Sequence, residues 1–130
     1  AAGQHLTEIL PARIEVTGHA IQARVYAEDS RRFLPSPGKL KLFRPPQGPG
    51  IRVETGLVEG NDVTMYYDPL LAKVIAHAET RTLAIEKLRE ALRSFAIEGV
   101  KTNLTALETV LGSEAFITGA VHTGLIMQLI

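Results

Sequence analysis

The chain has no cysteine, and its 14 acidic residues balance its 14 basic ones to a formal net charge of zero. Without cysteine there is no disulfide framework, no thiolate nucleophile and no thiolate metal site. A reducing compartment is compatible with this but not required by it. The neutral balance argues against a general binder of nucleic acid or membrane surface, which needs a marked basic excess. No apolar run approaches the ~20 residues of a membrane-spanning helix, and no signal-peptide pattern opens the chain. GxGxxG, GxxxxGK[ST] and GxSxG are all missing. The glycine-rich "QGPG" lacks the lysine and the helix start of a phosphate loop. His5, His19, His77 and His122 are scattered without ligand spacing, so no metal site is expected. Taken alone, the residues offer neither a nucleotide site nor a nucleophile with its base.

What is present suits one soluble globular domain. The 130 residues are 45% hydrophobic and 22% charged, enough for a single core and too few for two ordinary ones. The chain opens Ala1-Ala2-Gly3 rather than with methionine, which suggests a processed product or a piece of something longer.

The first twelve residues read as irregular, broken by Pro11. Strand signal runs from about Arg13 to Tyr26, interrupted at Thr17-Gly18. "PSPGK" and "RPPQGPG" are loops, "KLKLF" and "IRVETGLV" are strands, and "EGND" is a turn. "VTMYYDPLLAKVIAHAE" carries strand signal on both sides of Asp68-Pro69. The period then changes from 2 to 3.6. From Thr80 onward Ile85, Leu88, Leu92 and Phe95 share a helical stripe with Ala84 and Ala91 beside it. Gly99 is expected to end that helix. Thr102 or Asn103 would cap the next, with Leu104, Leu107 and Leu111 buried. A last turn or two spans about His122 to Leu129. The expected class is α+β: a mainly antiparallel sheet from the first ~78 residues, with two to three C-terminal helices packed on one side.

Three groups of residues are candidates for chemistry. In "GHAIQARVYAED", Ile21, Ala23, Val25 and Ala27 alternate with Gln22, Arg24, Tyr26 and Glu28, so Arg24 sits mid-strand on the polar face. Arginine stays protonated and presents a rigid fork of donors. Fixed in a partly dry cleft, it can stabilise an oxyanion that develops during reaction, with Glu28 to orient it. The ordinary alternative is a cross-strand ion pair on a wet face. In "YYDPLLAK", Asp68 is either a pocket carboxylate beside two tyrosines or an Asx turn with an ion pair to Lys73. From Arg31 to Arg52 there are six basic residues and no acidic one. These would meet an acidic partner or a phosphate, or else lie in solvated loops with countercharges from elsewhere; the solvated loops are the favoured reading.

The stretches "GHAIQARVYAED", "FLPSPGKL", "GPGIRVETGL", "YYDPLLAKVIAHAETR", "AIEKLREAL" and "IEGVKTN" resemble, in order and spacing, the C-terminal domain of biotin carboxylase, over about residues 3 to 126. The resemblance implies a ligase reaction in which ATP and bicarbonate yield carboxyphosphate and N1 of biotin is carboxylated. The biotin rides on a carrier protein or domain. Arg24 stands where the family has the arginine that faces the biotin ureido oxygen. Asp68 matches an aspartate near the biotin pocket, and Arg52 an arginine of the homodimer interface in bacterial members. The family's ATP-binding lysines, metal-binding glutamates and bicarbonate contacts have no counterpart in this chain. ATP and Mg would therefore bind mainly outside this stretch, and the fragment alone would be inactive.

The resemblance implies as partners the ATP-grasp region of the same enzyme, the biotin carboxyl carrier domain, the carboxyltransferase and a possible second copy of the chain, with neither nucleic acid nor membrane. The compartment would be bacterial cytoplasm, or the mitochondrial matrix in a eukaryote. Two other classes stand beside this one. One is a freestanding interaction module that uses its sheet edge or basic loops; the other is a small ligand-binding fold. The upstream reading frame discriminates the module from the carboxylase lobe, and affinity for free biotin would mark the ligand-binding fold.

Overall fold

The computed structural model describes residues 2–130; Ala1, in the stretch expected from sequence to be irregular, lies outside them. The elements run α1 (Leu6–Ile9), β1 (His19–Tyr26), β2 (Gly38–Lys39), β3 (Leu42–Arg44), β4 (Ile51–Glu54), β5 (Asp62–Val63), β6 (Leu70–Ala78), α2 (Arg81–Ser94), β7 (Ala96–Glu98), α3 (Leu104–Gly112), α4 (Glu114–Thr118) and α5 (Leu125–Leu129). The class is α+β, with every strand pair antiparallel. The strands do not form one sheet. A three-stranded sheet has the order β1-β6-β4, and two ribbons pair β2 with β5 and β3 with β7.

The core lies between the three-stranded sheet and α2. Ile21, Ala23 and Val25 of β1 and Ala72, Val74 and Ala76 of β6 face inward. Against them α2 turns Ala84, Ile85, Leu88, Ala91 and Leu92, all buried. Strand period and helix period therefore present their apolar sides to each other. The Thr80 side chain starts the helix by accepting from the Leu83 N–H at 3.3 Å. Phe95 leaves the helix to pack edge-on against Phe43, with ring centroids 5.2 Å apart at 66°.

Four local expectations are corrected. The first twelve residues are not irregular throughout: Leu6–Ile9 form the single-turn helix α1 ahead of Pro11. Residues 13–17 form no strand, and Ile14 and Val16 are exposed, outside the core. Gly99 does not end α2, which stops at Ser94; the chain goes on into β7, a strand that helical periodicity hid. Gly99 instead closes a backbone-to-backbone approach. Its φ is +102°, and a Cβ there would overlap the Lys39 carbonyl oxygen and lie 3.0 Å from that carbonyl carbon. Gly38 faces it from the other side: a Cβ at Gly38 would sit 2.7 Å from the Gly99 oxygen. Lastly, α3 buries Ala106 and Leu111 fully, whereas Leu104 and Leu107 only border the core.

Candidate functional site

The outer face of the three-stranded sheet, away from α2, carries Gln22 and Arg24 of β1, Lys73 and Ile75 of β6, and Arg52 and Glu54 of β4. The register fixes a row across it: Arg24 lies opposite Lys73, and Lys73 opposite Glu54. Glu54 is already engaged by Arg52, Oε1 to Nε 3.1 Å. Among the described residues no carboxylate reaches salt-bridge distance of Arg24 or Lys73. The cross-strand ion pair is thus not formed. Two cations oppose each other instead, an arrangement that costs stability in an isolated sheet.

Arg24 is exposed, and its guanidinium carbon lies 5.1 Å from the centre of the Tyr26 ring, a cation–π contact. The register shifts between Val25 and Tyr26, a bulge that brings Tyr26 opposite Leu70. Beyond it the Ala27 N–H donates to the Pro69 carbonyl at 2.8 Å, so the strand end runs beside the Asp68-Pro69 turn. Asp68 does form the Asx turn, its Oδ1 accepting from the Leu70 N–H at 2.8 Å. It has no ion pair with Lys73.

The acidic groups here repel one another. Burial, then the Asp68 charge, raises the Tyr26 phenol above its ordinary pKa; Glu28 adds to this and Arg24 opposes it. Burial, then Asp68, raises the Glu28 carboxyl. Arg24, Tyr26, Glu28 and Asp68 thus form one electrostatic cluster at the end of β1. Alternation in the sequence joins Arg24, Tyr26 and Glu28 but leaves Asp68 separate; the β1–β6 pairing unites them.

Asn103 departs from its expected role. It is the only buried polar residue among those described. It holds the helix-cap position of α3, yet its side chain makes no cap bond. The amide turns to β1: Oδ1 accepts from the Tyr26 N–H at 2.9 Å, and Nδ2 donates to the Arg24 carbonyl at 3.1 Å. Its backbone N–H donates to the Tyr26 carbonyl at 3.2 Å. No local signal separates this use from ordinary capping.

The other candidates lie apart. Arg52 belongs to the same sheet face but is paired with Glu54 and largely exposed. Of the six basic residues from Arg31 to Arg52, only Arg52 has a countercharge among the described residues; the rest are solvated. His19 Nε2 sits 3.2 Å from Arg81 Nη1, and His77 Nε2 sits 2.9 Å from the Thr17 carbonyl.

Residues 22–128 match the family model described as the biotin carboxylase C-terminal domain. Biotin carboxylase 2 of Bacillus subtilis is 44% identical over 128 residues, covering 98% of this chain and 29% of that protein. Among solved structures, the biotin carboxylase–β,γ-ATP complex from Campylobacter jejuni superposes with a TM-score of 0.86 at 36% identity. It covers 92% of this chain and 27% of its own. A complete multifunctional pyruvate carboxylase from Rhizobium etli gives 0.84 at 42% identity, covering 88% and 11%. The chain thus spans under a third of the length of these relatives.

Proposed function

Because the chain belongs to the biotin carboxylase C-terminal domain family, we propose that it is the lobe of a biotin-dependent carboxylase that meets the biotin group with Arg24. One observation carries the reading. Arg24 is an exposed cation stacked on Tyr26, opposed by Lys73 and neutralised by no carboxylate among the described residues. A free chain has no stability reason for that arrangement; a ligand that gains negative charge supplies one.

The residues fit a ureido group. Biotin, when bound, supplies the nitrogen that accepts the carboxyl. The Arg24 fork donates to the carbonyl oxygen beside that nitrogen and is already in place when charge builds there. Lys73 adds positive potential from the neighbouring strand. Asp68, held by its turn at the same strand end, is proposed to border the biotin pocket. Tyr66 and Tyr67 precede it, 90% and 83% exposed, and with Met65 they make an apolar run suited to being covered by another part of the enzyme.

ATP and Mg are a different matter. The chain has no phosphate-binding loop, and among the described residues no three His, Asp or Glu side chains converge as a metal would need. Nucleotide and metal are therefore assigned to an ATP-grasp region of the same enzyme. The carrier domain and the carboxyltransferase are the further partners proposed. Arg52, on the exposed edge strand β4, is proposed to reach a second copy. The whole chain is proposed to be one domain, acting in a bacterial cytoplasm or, in a eukaryote, in the mitochondrial matrix. None of the described helices is long and apolar enough to cross a membrane.

The test is Arg24→Ala in the complete carboxylase that carries this chain. Biotin carboxylation should fall about 10²–10³-fold, as when one preorganised donor is removed from an oxyanion. ATP affinity should not change. Carboxylation within twofold of the unsubstituted enzyme, on the order of RT or less in barrier, would refute the proposal.

A further inference from the structure

We propose that Asn103 is a positioning residue for Arg24, acting through the backbone of β1. The inference rests on the reading that Arg24 meets biotin, and it deepens that reading. β1 is an edge strand, so one side of its backbone lacks a neighbouring strand. On this strand Asn103 supplies the partners that such a neighbour would. One side-chain amide accepts from the Tyr26 N–H and donates to the Arg24 carbonyl, as a single peptide unit of an added strand would. The Asn103 backbone N–H then takes the Tyr26 carbonyl.

The placement is specific to the functional residues. The three bonds bracket the Val25–Tyr26 bulge, where the regular ladder is interrupted and the strand would otherwise be free to pivot. They fix Arg24 at its carbonyl. They also fix, at both polar backbone atoms, the residue whose ring lies under the guanidinium. Asn103 therefore holds both the arginine and its platform. The amide is buried and does this instead of capping α3, although asparagine in that position ordinarily bonds to its own helix. Asn103 does not touch the reacting group; whatever it contributes passes through Arg24.

Two variants and a background test this in the complete carboxylase. Asn103→Ala removes both side-chain bonds. Asn103→Asp keeps size and the acceptor for Tyr26 but turns a carboxylate oxygen toward the Arg24 carbonyl, and it serves where the alanine variant does not fold. Each should lower biotin carboxylation about tenfold to a hundredfold, the scale of an ångström-size misplacement. In an Arg24→Ala background each should add less than about twofold, because the path runs through the missing side chain. Equal factors in both backgrounds would mean a general structural role and would overturn the proposal.

A second readout needs no biotin. In the 130-residue chain, NMR relaxation at Arg24 Nε should report a more mobile side chain in Asn103→Asp than in the unsubstituted chain. Unchanged order at Nε would overturn the proposal. If Arg24→Ala itself left carboxylation intact, the biotin reading would fall, and the relaxation measurement would still decide the role of Asn103.

Discussion

Gly99→Ala should be among the most damaging small substitutions in the chain, for a reason that helix capping would not supply. At φ +102° an alanine is strained by about 1–2 kcal/mol. Its methyl would also overlap the Lys39 carbonyl oxygen and crowd the Lys41 nitrogen at 3.1 Å. Both neighbours are backbone, so relief requires β2 to move away from the segment after β7. Overpacking of this kind costs about 1–3 kcal/mol more. The total of about 2–5 kcal/mol is a large part of the roughly 5–15 kcal/mol that holds a domain folded.

Urea unfolding measures it. With a slope of about 1–3 kcal/mol per molar, the midpoint should fall by on the order of 1–3 M. Gly60→Ala is the matched control. Gly60 has φ +91°, but a Cβ there meets nothing within 4 Å, so only the conformational cost of about 1–2 kcal/mol applies. Amide exchange at Lys41, whose N–H donates to the Glu98 carbonyl at 2.8 Å, should rise in the Gly99 variant alone. Equal destabilisation by the two substitutions would refute the close-approach argument.

Two further outcomes are expected. Leu88→Ala, which empties a fully buried site between α2 and the sheet, should cost about 2–5 kcal/mol by the same urea assay; a cost under about 1 kcal/mol would mean the site collapses or is not packed as described. Asp29 is held near a pKa of about 2, mainly by the N–H groups of Arg32 and Arg31 and then by Lys101. A depressed folded-state pKa stabilises above the ordinary value of 3.8, and that contribution is lost as pH falls through about 2. Asp29→Asn should therefore melt below the unsubstituted chain at neutral pH, and the gap should close between about pH 4 and pH 2. A gap independent of pH would contradict the assignment.

Much of this molecule is legible where one period dominates. The β1 alternation assigns both faces of the strand, and the α2 stripe names its buried residues correctly. The class follows from the order in which those periods occur. What escapes depends on long-range pairing. β7 is three residues attached to a helix, and only its partner β3 makes it a strand. Gly99 and Asn103 each carry a strong local signature for a helix end. Tertiary contacts override both, because a backbone crossing and an open strand edge need those residues more. Pattern alone finds Arg24, but its lack of a countercharge emerges only once the register sets Lys73 opposite it.

The Asn103 side chain reaches β1 across 79 positions of sequence. A ribosome-bound chain that has emerged only through α2 would hold the strand with Arg24 but nothing to brace it. The bond links positions 24 and 103, so it cannot form until residue 103 is available. Arg24 would therefore be braced only in a chain that has been made through Asn103.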